Sequence, residues 1–279
     1  MKYGLIGEKL SHSYSPEIHK IIFETLGVAG EYNLIELKQE KLRGFLHNAR
    51  EQGYNGLNVT IPYKLDVIAL LDNISEEAKK IGAVNTISFK KEVEGFNTDY
   101  YGIKHTFSKC GINVKGKNVL IAGSGGAAKS VITYMLDAGV SKGYVASRNP
   151  KNNLSRKKAE DNTVKNESII PIYYDQIFQY TPFDVVVNAT PVGMYPAVGA
   201  SPLKKEHISG TKFVFDLIYN PNKTQLMKLA DQAGIPNVNG LYMLISQAVK
   251  AHEIWTGIEY DNDFTNRVYA KILNKDFTV

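Results

Sequence analysis

The stretch Asn118-Val119-Leu120-Ile121-Ala122-Gly123-Ser124-Gly125-Gly126-Ala127-Ala128 decides the fold. The apolar run ending at Ala122 reads as a buried strand, and Val131 to Leu136 just beyond reads as an apolar helix. The glycines therefore stand where a strand turns tightly into a helix. Backbone N–H groups at such a helix start can approach a dinucleotide's pyrophosphate, and the helix dipole favours its negative charge. A small-residue turn without a ligand has the same composition, but the flanking strand and helix favour the cradle.

Working outward, short β-branched runs alternate with longer amphipathic stretches, the signature of βαβ units and mostly parallel sheets. After Asn118–Ala122 the strands continue at Gly143 to Ser147, Ile169 to Ile172, Val185 to Val187 and Phe213 to Phe215. An earlier series occupies Lys2 to Ile6, Tyr32 to Leu37 and Gly56 to Val59. Between the first two of these, Ile18, Ile21, Ile22 and Leu26 recur at helical spacing behind Ser15-Pro16, where Ser15 is expected to cap and Pro16 to occupy the first turn. A long helical pattern, Leu241 to Trp255, follows Gly240. The polar tract Asn149 to Ser168 reads as a loop plus a solvated helix. At 279 residues, and about 100–200 residues per domain, two α/β domains are expected.

Composition narrows the class. Hydrophobic residues at 43% and charged residues at 22% describe a globular chain with a real core. A formal charge of +5 suits an anionic ligand without implying nucleic acid, because the densest basic stretch, Arg148 to Lys165, lacks interleaved aromatics. Cys110 is alone, which excludes an intrachain disulfide and suits a reducing compartment. Met1 to Ile6 shows no signal-peptide pattern, and no segment approaches the ~20 apolar residues of a membrane helix. The expectation is a cytoplasmic protein, monomer or homodimer, with neither membrane nor nucleic acid as partner. The six His residues are dispersed, and His12 with His19 has no ligand-spaced companion, so no metal is expected.

Candidate site residues lie on both sides of the glycine loop. An Asp or Glu after the next strand would bind the ribose of NAD, but here Ser147 is followed by Arg148-Asn149-Pro150-Lys151. Cations in place of the carboxylate favour a 2′-phosphate, hence NADP over NAD, although a solvated basic turn has the same sequence. In the earlier series, Ser13 and Ser15 place two hydroxyls at a helix entrance, where an anion can be held; capping by Ser15 is the alternative, and both roles can coexist. Lys64, in Asn58-Val59-Thr60-Ile61-Pro62-Tyr63-Lys64, follows the carboxyl end of a buried strand, where α/β crevices open. Asp99 lies on another loop. A Lys held by a carboxylate can supply and recover the proton that carbonyl reduction needs, whereas separately the two read as an exposed Lys and a turn Asp.

Together these stretches resemble the shikimate dehydrogenase family through nearly the whole chain and in the right order. The matching residues are Ser13-x-Ser15-Pro16, Asn58 to Lys64, Gly82-Ala83-Val84-Asn85-Thr86, Asn97-Thr98-Asp99 and the Gly123 loop. They continue with Asn188-Ala189-Thr190-Pro191-x-Gly193-Met194, Asp216-x-x-Tyr219-x-Pro221 and Asn239-Gly240-Leu241-x-Met243-Leu244-x-x-Gln247.

The resemblance implies a substrate-binding domain over residues 1–101, joined by C-terminal helices in 240–279, a Rossmann domain over 102–239, and an interdomain cleft. It implies that Ser13, Ser15, Thr60, Asn85, Tyr219 and Gln247 bind substrate, with Asp99 also contacting it, and that Lys64 and Asp99 form the catalytic pair. It assigns NADP to Gly123, Ser124, Gly125, Gly126, Ala127, Ser147, Arg148, Asn188, Thr190, Gly240 and Met243. The family's Asn-Arg-Thr is here Ser147-Arg148-Asn149, and a second expected Arg is Asn152, with Lys151 the substitute cation. Ser124 stands in place of the usual Ala. The implied reaction is NADPH-dependent reduction of 3-dehydroshikimate to shikimate in chorismate biosynthesis. Relatives that also take quinate or an amino analogue share this scaffold, as do non-catalytic ligand sensors; intact Lys64 and Asp99 argue against a sensor.

Overall fold

The computed structural model describes residues 1–10, 13–150 and 167–274. Lys151, Asn152 and His12 lie outside them. The chain divides into two compact units, one comprising Met1–His105 and the chain from Leu244 on, the other Thr106–Met243. It crosses between them inside two helices, α4 (Thr98–Lys109) and α7 (Leu241–Thr256). Those crossings fall a few residues after the 101/102 and 239/240 boundaries expected from sequence, because both helices run on through the change of unit. Among the described residues no helix is long and apolar enough to cross a membrane.

The first unit contains β1 (Lys2–Gly7), α1 (Ser15–Leu26), β2 (Glu31–Glu36), α2 (Leu42–Ala49), β3 (Gly56–Val59), β4 (Asn73–Ile74), α3 (Glu76–Ile81), β5 (Thr86–Phe89) and β6 (Val93–Phe96). Its six-stranded sheet has the order β2-β1-β3-β5-β6-β4. β1 pairs in parallel with β2 and β3, and β4 with β6, while β5 runs antiparallel to β3 and β6. The β5–β6 hairpin was not foreseen from the sequence. Ile6, Leu57, Val59, Tyr63, Val84 and Ile87 fill the core beneath the sheet. On another face Trp255 of α7 packs with Tyr3, Phe23 and Ala251, and its indole N–H donates to the Ile87 carbonyl at 2.9 Å. Gly56 makes room for that ring: a Cβ there would lie 2.1 Å from Trp255 Nε1. The helix α8 (Asn262–Leu273) completes the unit.

The second unit comprises β7 (Asn118–Ala122), α5 (Gly126–Asp137), β8 (Lys142–Ala146), β9 (Ile169–Ile172), β10 (Val185–Asn188), β11 (Phe213–Asp216), α6 (Gln225–Gln232) and β12 (Asn237–Val238). All its pairings are parallel, in the order β12-β11-β10-β7-β8-β9. The direction of winding reverses between β7 and β10, which opens a crevice at their carboxyl ends. This is the Rossmann order. Leu120, Val186 and Val214 lie wholly inside, as continuous hydrophobic runs in a doubly covered parallel sheet should.

Asp216, at the end of β11, is fully buried yet well supplied with donors. It accepts from Asn188 Nδ2 at 2.9 Å, the Ile218 N–H at 3.1 Å and the Thr224 hydroxyl at 2.7 Å. Thr224 in turn caps α6 by accepting from the Met227 N–H. Burial outweighs these donors and pushes the carboxyl up from 3.8 to about 6. Because its folded value lies above its unfolded one, Asp216 contributes stability that is complete below about pH 4 and lost as pH rises through about 6, on the order of 2–3 kcal/mol. Urea unfolding followed from pH 4 to 7 should show this decline in the wild type, and Asp216→Asn should flatten it. An unchanged slope in the variant would place the decline elsewhere.

Candidate active site

The pocket residues of the first unit are assembled from strand ends and one helix start. β3 delivers Thr60, whose N–H donates to the Ile6 carbonyl, and the turn after it is closed by Tyr63 N–H to Thr60 O at 3.0 Å. The buried Tyr63 ring anchors that turn, its hydroxyl donating to the Leu37 carbonyl. Lys64 follows directly, and its own carbonyl accepts from the Val84 N–H, binding the turn to the segment that leads into β5. At the head of that segment Gly82 takes φ +68°, the left-handed close of α3 that favours glycine.

Asn85 sits at the centre. Its Oδ1 accepts from the Thr98 N–H at 2.7 Å, so a side chain from one strand end satisfies the first turn of α4, which carries Asp99. Its Nδ2 donates to Gln247 Oε1 of α7 at 3.1 Å. Asp99 Oδ2 meets Lys64 Nζ at 2.6 Å, with side-chain exposures of 12% and 23%. A half-buried pair of this kind gains little stability, because desolvation offsets most of the attraction.

The structure corrects the expectation that Ser15 caps α1. Tyr14 occupies the N-cap without a side-chain cap bond, and Ser15 is already the first helical residue, ahead of Pro16. Ser13 Oγ accepts from the Ser15 N–H at 3.2 Å, so the Ser13 hydroxyl and not that of Ser15 satisfies the start of α1. Thr98, Asn58 and Tyr32 were missed as contributors; Asn58 and Thr98 stood inside matched motifs, whereas nothing around Tyr32 signalled its part.

In the second unit the glycine loop lies at the switch point. Gly123 has φ +104°, and a Cβ there would stand 2.9 Å from Thr190 Cγ2 and 3.0 Å from the Ala189 carbonyl. Glycine is therefore required for the loops after β7 and β10 to approach. Asn188 Oδ1 accepts from both the N–H and the hydroxyl of Thr190, at 2.9 and 2.7 Å. Gly125 is the N-cap of α5 and supplies no side-chain cap, and nothing lies within 4 Å of a Cβ built on Gly125 or Gly126. Open space above uncapped N–H groups is what a pyrophosphate requires. Ser124 and Ala127 complete the loop. Beyond β8, Ser147 is buried with an unpartnered hydroxyl, and Arg148 is exposed.

Gly240 admits no side chain, since a Cβ would fall 1.9 Å from the Leu217 carbonyl oxygen; Met243, also in this unit, is buried. Tyr219 is half-buried after β11, again in the second unit, apart from the Lys64 cluster in the chain's division. These features fit a dinucleotide with a 2′-phosphate. Among the described residues no group of three or more His, Cys, Asp or Glu side chains is arranged to hold a metal.

Comparison with known proteins agrees. The model of the shikimate dehydrogenase substrate binding domain matches residues 5–87. The NADP(+) shikimate dehydrogenase of Clostridium beijerinckii is 41% identical over 98% of both chains. A chorismate mutase/shikimate 5-dehydrogenase fusion protein from Clostridium acetobutylicum superposes with a TM-score of 0.89 at 42% identity, over 98% of this chain and 97% of that one. The shikimate 5-dehydrogenase of Thermus thermophilus, solved with NADP(H) and shikimate, gives 0.84 at 30% identity, over 97% and 99%. With this identity running through both units, the chain belongs to the shikimate dehydrogenase family.

Proposed function

We propose that the chain is an NADP-dependent shikimate dehydrogenase interconverting 3-dehydroshikimate and shikimate. The observation that carries the reading is the 2.6 Å contact of Lys64 Nζ with Asp99 Oδ2, in the unit that also holds the Asn85–Gln247 hydrogen bond. When bound, the nicotinamide supplies the hydride. In the reductive direction Lys64 gives a proton from Nζ to the substrate oxygen, and in the oxidative direction it takes that proton back. Asp99 keeps Nζ oriented and compensates its charge.

Ser13, Ser15, Thr60, Asn85, Tyr219 and Gln247 are assigned to the substrate. Ser13 accepts the Ser15 N–H and so retains its own proton to donate to a carboxylate. Gly123, Ser124, Gly125, Gly126 and Ala127 are assigned to the pyrophosphate, Ser147 and Arg148 to the adenosine 2′-phosphate, and Asn188, Thr190, Gly240 and Met243 to the rest of the dinucleotide. We place the enzyme in the cytoplasm.

An absorbance assay crossing shikimate and quinate with NADP and NAD tests this directly. Shikimate with NADP should give the highest kcat/KM, and Lys64→Ala should lower its kcat by about 10²–10⁴ with a modest change in KM. No turnover with any pair, or undiminished turnover in the variant, would sink the reading.

A further inference from the structure

Behind the residues assigned to substrate lies a second layer of buried polar groups that the proton transfer does not use. His19 of α1 and His252 of α7 are 1% and 0% exposed, and His19 Nδ1 lies 2.9 Å from His252 Nε2 across 233 residues of sequence. Tyr32 stacks on His19 with ring centroids 3.8 Å apart and donates from its hydroxyl to Asn58 Oδ1 at 2.7 Å.

The unpartnered ring nitrogen of His252 fixes the proton order. His252 Nδ1 is buried without a partner, and a bare lone pair there costs less than an unsatisfied N–H. A neutral imidazole carries one N–H, so His252 bears it on Nε2 and donates it to His19 Nδ1, which leaves the hydrogen of His19 on its own Nε2. A carbonyl only accepts, so Asn58 turns Nδ2 toward Asn85 O, at 3.3 Å, and Thr86 Oγ1, at 3.0 Å, while its Oδ1 accepts from Tyr32. Burial keeps both rings neutral: it pushes His252 down to about 3, and with the facing imidazole it holds His19 well below the ordinary histidine value.

We propose that His252 and His19 are positioning residues for the substrate pocket: the hydrogen bond from α7 fixes the His19 ring, that ring holds Tyr32 stacked upon it, and the Tyr32 hydroxyl sets Asn58, which in turn holds Asn85 and Thr86. The assignment rests on the shikimate reading above. It means that α7 is fastened at two points, by Gln247 to Asn85 and by His252 to α1, so that loosening either displaces the groups that hold the substrate.

Ring-nitrogen NMR of the wild-type chain should find His19 protonated on Nε2 and bare on Nδ1, and His252 the same. His252→Phe should raise the KM for shikimate about tenfold while the KM for NADP stays within about twofold, and His252→Gln, which can again donate, should recover most of the loss. His19 protonated on Nδ1, or an unchanged shikimate KM in a folded His252→Phe, would overturn the proposal. If the variant fails to fold, the wild-type tautomers decide. A wild type that ignores shikimate would reject the functional reading while leaving the proton order to stand or fall on the NMR.

Discussion

The substrate half of this molecule depends on one buried amide. Asn85 has almost no exposure, so both ends of its side chain need partners. It finds them on two separate helices, the Thr98 N–H at the start of α4 and Gln247 on α7. Asp99 follows Thr98, and Lys64 is bound through its carbonyl to the Val84 N–H, so the segment Val84-Asn85 ties down the backbone of both partners of the ion pair. A half-satisfied arrangement here would cost more than an apolar one, and that cost confines the pocket to one geometry.

The dinucleotide half is governed by close backbone approach. Gly123 lets the loop after β7 touch the loop after β10, and Asn188 braces Thr190 within that contact. Asp216 braces Asn188 from behind. Its carboxylate is costly to bury, and its three donors link β10, the turn after β11 and the cap of α6. The glycines supply shape and the polar side chains behind them keep that shape from relaxing.

What the sequence made legible follows the range of the interactions. The strands at 56–59, 118–122 and 169–172 were readable because a β-branched run between turn residues is a local signal. The glycine loop was readable because strand, turn and helix are contiguous. Ser15 was misread because Pro16 after a serine suggests a cap, while the actual N-cap, Tyr14, makes no side-chain cap bond. The β5–β6 hairpin went unseen because its strands, four residues each, are too short to show alternation above the surrounding charged residues. Asn85 with Gln247 and His19 with His252 are 162 and 233 residues apart, and no periodicity reports such pairs. Family resemblance supplied Asn85 and Gln247 by motif; the histidines had only a dispersed count to represent them. Lys151 and most of the tract 149–168 fall outside the described residues.

That Lys64 and Asp99 work as one proton-transfer unit, held by the network around Asn85, is the claim on which the account rests. The most direct measurement is a double-mutant cycle on kcat/KM for shikimate with Lys64→Ala, Asp99→Asn and the two combined. Groups that act as a unit are strongly non-additive, so the double variant should be little worse than Lys64→Ala alone. Losses that multiply independently would contradict it.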